Sequence, residues 1–185
     1  RHPRVLGAAR PALRPGVAPV SRIAAILVSQ AAPLGMAAAA FTVAVGLPSS
    51  DPDMWWHLAS GRWMFEHGEL LRVEIFSSTA PGTPYVVGEW LGQLVLYGAY
   101  ALAGWPGIAV LRALLVAVAA FSLTRVALRS APPAIALPLV AIALALSKIA
   151  WTDRPQLFTL ALFPVLLDLL TVARLGRVRA LVAVP

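Results

Sequence analysis

Ile23 to Leu47 runs for 25 residues without a charged side chain, long enough as a helix to cross the roughly 30 Å hydrocarbon core of a bilayer. Backbone in hydrocarbon must satisfy its own N–H and C=O groups, so the segment is predicted as a transmembrane helix. It is too long for the apolar region of a signal peptide. Four further apolar blocks follow, at Trp90 to Ala103, Gly107 to Leu128, Pro133 to Ala150 and Pro155 to Ala173. With 59% hydrophobic and 12% charged residues and a mean hydropathy of +0.79, the chain departs from soluble composition, in which the apolar share is about half. The expected fold class is all-α, a polytopic transmembrane helical protein with the lipid bilayer as its partner.

The one long polar interruption is Ser50 to Trp90. It carries six of the eight acidic residues (Asp51, Asp53, Glu66, Glu69, Glu74 and Glu89), together with His57, His67 and four of the six tryptophans. Ionisable groups in a membrane protein concentrate where function needs them, so chemistry is expected in this loop. Within it, Met54 to His67 reads as a juxtamembrane helix closed by Gly68. Trp55, Trp56, Trp63 and Trp90 read as headgroup anchors, and Phe76 to Pro84 as turns.

Arginine placement sets the expected topology. Residues 1–22 hold Arg1, Arg4, Arg10, Arg14 and Arg22 without an acid, the pattern of a cytoplasmic basic tail. Trp90 to Ala103 has 14 residues, contains Gln93, Tyr97 and Tyr100, and is followed by Gly104-Trp105-Pro106-Gly107. That suits a second juxtamembrane helix at the interface better than a span. With spans at about 23–47, 107–128, 133–150 and 155–173, Arg125, Arg129, Arg174, Arg177 and Arg179 join the tail on the cytoplasmic side. Loop 48–106 and the turn Trp151 to Pro155 then share the outer side. Arg112, one turn inside its span, is expected to snorkel outward, and Asp168 to reach Arg174 or a further helix. Arg1 in place of methionine and the apolar ending Leu181 to Pro185 are expected to mark a fragment, the N-terminal part of a longer protein.

Asp51-Pro52-Asp53 places two carboxylates at the expected end of the first span, where one can act as a general base or the two as ligands of a divalent cation. The alternative is that Asp53 caps the helix beginning at Met54. His57, four residues on, can share a helical face with Asp53. Arg62 and Arg72 can hold a phosphate through their guanidinium forks or pair with the neighbouring glutamates. Glu89 stands at the start of the second juxtamembrane helix, where the helix dipole favours an acid. Lys148, Asp153 and Arg154 cluster at the second outer turn, read as a phosphate clamp or as a simple Asp153 to Arg154 pair. The absence of cysteine excludes disulfides and thiol chemistry. No phosphate-binding glycine loop, nucleophile elbow or zinc motif occurs. The net charge of +7 is sorted by topology rather than gathered on a face with stacking aromatics, so nucleic acid is excluded as a partner.

So placed, the residues resemble the N-terminal part of a polytopic GT-C glycosyltransferase. They are also similar to a group of uncharacterised bacterial membrane proteins with the pattern DPDxWWHLxxG, FSxTxPGxP, EWL and RPQ, here Asp51 to Gly61, Phe76 to Pro84, Glu89 to Leu91, and Arg154 to Gln156. The resemblance implies a multi-pass protein of the bacterial plasma membrane that transfers a sugar from a polyprenyl-phosphate donor on the outer face. It implies Asp53 as base, Asp51 orienting it or sharing a divalent cation with it, and Arg62, Arg72, Lys148 and Arg154 on the donor phosphate. His57, Glu89 and Asp153 would support them. The rival expectations are a transporter or lipid scramblase, which needs charges along the spans, and a non-catalytic assembly subunit.

Overall fold

The structure is a computed structural model and describes residues 19–49 and 51–174, with side chains from residue 30 onward. The expected basic tail through residue 18, and Arg177 and Arg179, lie outside the described residues. The chain packs as two units, Arg1–Ala31 and Ala32–Pro185. In the first, the described part is the start of helix α1 (Pro19–Val45). All that follows concerns the second.

The regular elements of the described residues are helices, with α2 at Met54–His67, α3 at Trp90–Ser130, α4 at Pro133–Ser147, a 3-10 turn at Lys148–Ala150 and α5 at Gln156–Arg174. Among the described residues, three stretches are long and apolar enough to cross a membrane: Trp90–Ser130, Pro133–Ala150 and Gln156–Arg174. The core between the end of α1, the later part of α3, α4 and the start of α5 is built from Ala40, Ala44, Ala113, Val116, Ala120, Val140, Leu144, Trp151 and Leu157. Small side chains let the backbones approach closely, as helices in lipid require. Leu139, Ile142, Leu146, Leu162 and Phe163 face outward, which suits a hydrocarbon surround and not water.

Helix α3 is two helices. Ala103 (φ −146°, ψ 15°) and Gly104 (φ 61°, ψ −145°) break it, and the positive φ is one that glycine adopts without steric cost. Pro106 falls in the first turn of the second limb, where its missing N–H has no intrahelical partner to lose. The first limb doubles back on the second: a Cβ on Gly107 would overlap the Ala99 carbonyl and meet Ala103 Cβ at 3.2 Å. In a continuous helix residues eight apart are separated by about 12 Å. Leu96 and Ile108 share one buried cluster with Met54 and Leu58 of α2.

Helix α2 lies against the first limb. Its buried positions, Met54, His57, Leu58, Ser60, Gly61 and Met64, recur at helical spacing on one face. Gly68 (φ 69°) closes the helix by donating its N–H to the Met64 carbonyl, a left-handed cap. Trp55 meets Trp105 edge to face at 5.1 Å, Trp56 packs on Phe76 and Tyr85 at 5.2 and 6.1 Å, and Trp63 stacks on His67 at 4.2 Å. Each has an aromatic partner, and those of Trp55 and Trp56 join α2 to the rest of the loop, although Trp55 is also exposed.

A Cβ on Gly61 would overlap the Gln93 carbonyl and meet Tyr97 Cβ at 2.8 Å, whereas one on Gly98 meets nothing within 4 Å. Gly61→Ala is therefore expected to lower the thermal midpoint in detergent by the equivalent of about 1–3 kcal/mol. Gly98→Ala should leave the midpoint unchanged or raise it, since alanine is the better helix former. Equal behaviour of the two variants would contradict the packing of α2 on the first limb.

Candidate active site

The site is assembled by a buried ion pair. Arg112 and Asp153 are each 1% exposed. Arg112 Nη1 donates to both Asp153 carboxylate oxygens at 2.9 Å, Nε donates to the Ala44 carbonyl at 3.2 Å, and Nη2 donates to the Leu47 carbonyl. The last carbonyls of a helix lack i+4 partners; here one guanidinium reaches the Ala44 carbonyl in the last turn of α1, which also accepts the Leu47 N–H at 3.2 Å, and the Leu47 carbonyl just beyond it. Arg112 therefore does not snorkel outward, because the charge that would have drawn it to the surface is neutralised inside the bundle. The expected Asp153 to Arg154 pair is likewise replaced.

With Asp153 engaged, Arg154 turns to the other loop. Its Nε and Nη2 donate to the two oxygens of Asp51, the Nη2 contact at 2.9 Å, and Nη2 also lies 2.9 Å from Asp53 Oδ2. Asp51 Oδ1 in addition accepts the Asp53 N–H at 3.0 Å. The two carboxylates are unequal: the Asp51 side chain is 5% exposed and that of Asp53 57%. The Arg154 guanidinium holds Asp51 below its ordinary value of 3.8 against the opposing effect of burial, so it stays ionised. Asp53 occupies the N-cap position of α2 but makes no capping hydrogen bond through its side chain, so the capping alternative is not the arrangement adopted.

These groups border a cleft of about 540 Å³ lined by Asp51, Arg112, Lys148, Thr152, Asp153 and Arg154 together with Leu47, Pro48, Pro52, Ile149 and Trp151. Three cations face two carboxylates, and Lys148 makes no ion pair among the described residues. Asp53 stands beside the cleft, reaching it through Arg154.

A second polar set lies beside this one. His57 Nδ1 is 3.3 Å from Gln93 Nε2 and 4.0 Å from Glu89 Oε2, and Glu89 Oε1 accepts from Gln156 Nε2 at 2.6 Å. Burial lowers the His57 pKa from 6.5, although Glu89 and Asp53 oppose the shift. The imidazole is neutral near pH 7, and its side-chain neighbours are Gln93 and Glu89 rather than the expected Asp53. Both ends of the first α3 limb belong to this end of the bundle: Gly92 packs on Pro155, and Trp105 joins Trp55 at the start of α2.

Of the remaining expected residues, Arg62 pairs with Glu66 at 2.7 Å and Arg72 is exposed. Neither lines the cleft. Arg62 is nine residues along α2 from Asp53, about 13 Å of axial rise. Asp168 pairs with Arg125 at 3.1 Å and with Arg129, not with Arg174, and marks the opposite end of the bundle. A divalent cation does not fit between Asp51 and Asp53, because a guanidinium already stands between them, and no three His, Asp or Glu side chains group as metal ligands among the described residues. Two residues went unsingled in the sequence. Gln93 is buried against His57, and Glu74 accepts from the N–H groups of Phe76 and Ser77 at 2.7 and 2.9 Å, pinning the turn loop. The helical spacing of Gln93 within an apolar block was the available signal for the first.

Asp153→Asn should cost about 3–5 kcal/mol by leaving a buried guanidinium without its counter-charge, read as loss of the folded fraction in detergent. An unchanged midpoint would contradict the pairing. In acid, the unfolded chain binds a proton at His57 more readily than the folded one. Stability should therefore fall as pH drops below about 6.5. The thermal midpoint of His57→Gln should vary less with pH over that window, and parallel profiles for variant and parent would remove His57 as the cause.

No family model, curated protein or solved structure matches the chain.

Proposed function

We propose that the chain is part of a GT-C-type glycosyltransferase, a polytopic protein of the bacterial plasma membrane that transfers a sugar from a polyprenyl-phosphate donor to an acceptor hydroxyl on the outer face. The observation that carries this reading is the cleft, where carboxylates from the first polar loop meet Lys148 and Arg154 from the second polar turn. The positive-inside rule puts that end of the bundle outside and the Arg125 and Arg129 end inside.

Asp53 takes the role of general base. It is the exposed carboxylate of the pair and is held by a single guanidinium nitrogen, whereas both Asp51 oxygens are occupied by Arg154. The acceptor hydroxyl gives its proton to the Asp53 carboxylate as its oxygen bonds to the anomeric carbon. The bond from that carbon to the phosphate oxygen breaks, and the electron pair leaves with the lipid phosphate. Lys148 and Arg154 stabilise the charge that grows there. Arg112 and Asp153 position the turn that carries Arg154 and do not touch substrate. A transporter would need charges along its spans, but Arg112, Arg125, Arg129 and Asp168 are each committed to an ion pair.

Asp53→Asn keeps the shape of the side chain and removes the base. Transfer from a polyprenyl-phosphate sugar that the parent protein uses is expected to fall by about two to four powers of ten, with insertion and thermal midpoint preserved. Retention of parental turnover by Asp53→Asn would make the acid structural and the proposed chemistry wrong.

A further inference from the structure

We infer that the prenyl chain of the donor lies in the groove between α1 and α4, and that the lipid reaches the cleft sideways from the bilayer, past Lys148. The inference rests on the reading of the cleft as a polyprenyl-phosphate site and adds to it the place of the tail.

The groove, about 280 Å³, is lined by Ala39, Ala40 and Val43 of α1 and by Ala141, Leu144 and Ala145 of α4. From Met36 to Val43, and from Ala141 to Lys148, the lining residues recur at offsets of three, four and seven. Each set is one face of its helix over about 10 Å of axial rise. Both helices end at the cleft, which is bordered by Leu47 just beyond α1 and by Lys148 just beyond α4. Lys148 and Trp151 line groove and cleft alike, so the two spaces meet there. Trp151 is buried and donates its indole N–H to Ser147 Oγ at 3.1 Å, which makes it a fixed wall. Lys148 is exposed and makes no ion pair among the described residues.

Lipid tails are as apolar as the walls of the groove, so burial alone selects no occupant. Charge and continuity do. The donor phosphodiester carries one negative charge, and Lys148 meets it at the mouth of the groove, at the level where the first polar loop and the second polar turn come together. The apolar groove between the first limb of α3 and α5 has Glu89 at its rim, which repels a phosphate, and the one among α3, α4 and α5 has the neutral Ser147, Gln156 and Thr159. Neither shares a residue with the cleft. A channel of this volume takes one chain, which suits a single-chain lipid over a two-chain phospholipid.

The test uses polyprenyl monophosphate, the lipid left behind by transfer of any sugar, carrying a diazirine on the isoprene unit next to the phosphate. It is added to the full chain in phosphatidylcholine nanodiscs. Native mass spectrometry counts bound lipid, and peptide sequencing after photolysis locates the label, expected between Met36 and Val43 and between Ala141 and Lys148. Ala145→Leu fills the groove and should lose that label, whereas Ala143→Leu, the same change on the side of α4 that faces the other groove, should keep it. Equal labelling of the two variants overturns the inference. Lys148→Gln should weaken binding about two- to fivefold, the range of an exposed ion pair, and unchanged binding overturns the route past that residue. Phosphatidylglycerol in the disc should not displace the label. Displacement would mean that any anionic phospholipid fills the groove and would overturn the prenyl occupant. Should Ala145→Leu fail to fold, the position of the label on the parent chain still decides. Bound lipid labelled along α5, or spread over the outward faces, overturns the groove and leaves the cleft reading standing. Absence of binding by the parent chain overturns both.

Discussion

A single buried guanidinium decides how this bundle is put together. Placing Arg112 and Asp153 out of solvent costs several kcal/mol per ion before pairing. The arrangement offsets that cost with an ion pair in which Nη1 reaches both carboxylate oxygens, and with hydrogen bonds to the Ala44 and Leu47 carbonyls at and just beyond the end of α1. Three parts of the chain distant in sequence, near residues 44–47, 112 and 153, are thereby held at one level. Because Asp153 is taken, its neighbour Arg154 is left to reach across to Asp51 and Asp53. The cleft is a consequence of that division of labour between two adjacent residues.

The fold-back of α3 supplies the second constraint. Gly104 allows the reversal, Gly107 and Ala99 let the two limbs touch, and Gly61 lets α2 lie on the first limb. Both ends of that limb stay at the cleft end of the bundle, so Gln93 meets His57 and Glu89 meets Gln156 there. At the opposite end Asp168 gathers Arg125 and Arg129. The charged groups of the helices are thus sorted into two layers separated by the apolar core around Val116, Ala120 and Val140.

Much of this was legible in the sequence because it depends on local chemistry. The Gly104-Trp105-Pro106-Gly107 run announces a break that the backbone makes at Ala103 and Gly104, and Gly68 announces the end of α2. The grouping of Asp51, Asp53, Asp153 and Arg154 at one place follows from pairing the two polar segments. What stayed hidden was partner choice. Arg112 one turn inside an apolar block looks the same whether it snorkels or meets a buried acid, and Asp153 beside Arg154 looks like a local pair. Deciding either requires knowing that the end of α1 brings the Ala44 and Leu47 carbonyls to that level. Arg62 and Glu66 show the converse: the spacing of four allowed either a phosphate clamp or a helix pair, and only proximity to the cleft could separate the two.

The proposed topology puts the two polar segments on one side of the membrane and keeps the first limb of α3 from crossing it. The chain has no cysteine, so single cysteines at Gly82, Thr152 and Ser130 report without background when exposed to a membrane-impermeant thiol reagent in intact cells. Gly82 and Thr152 should label together from outside while Ser130 stays protected until the membrane is opened. Labelling of Ser130 from outside, or of Gly82 and Thr152 on opposite sides, would contradict the shared cleft and everything built on it.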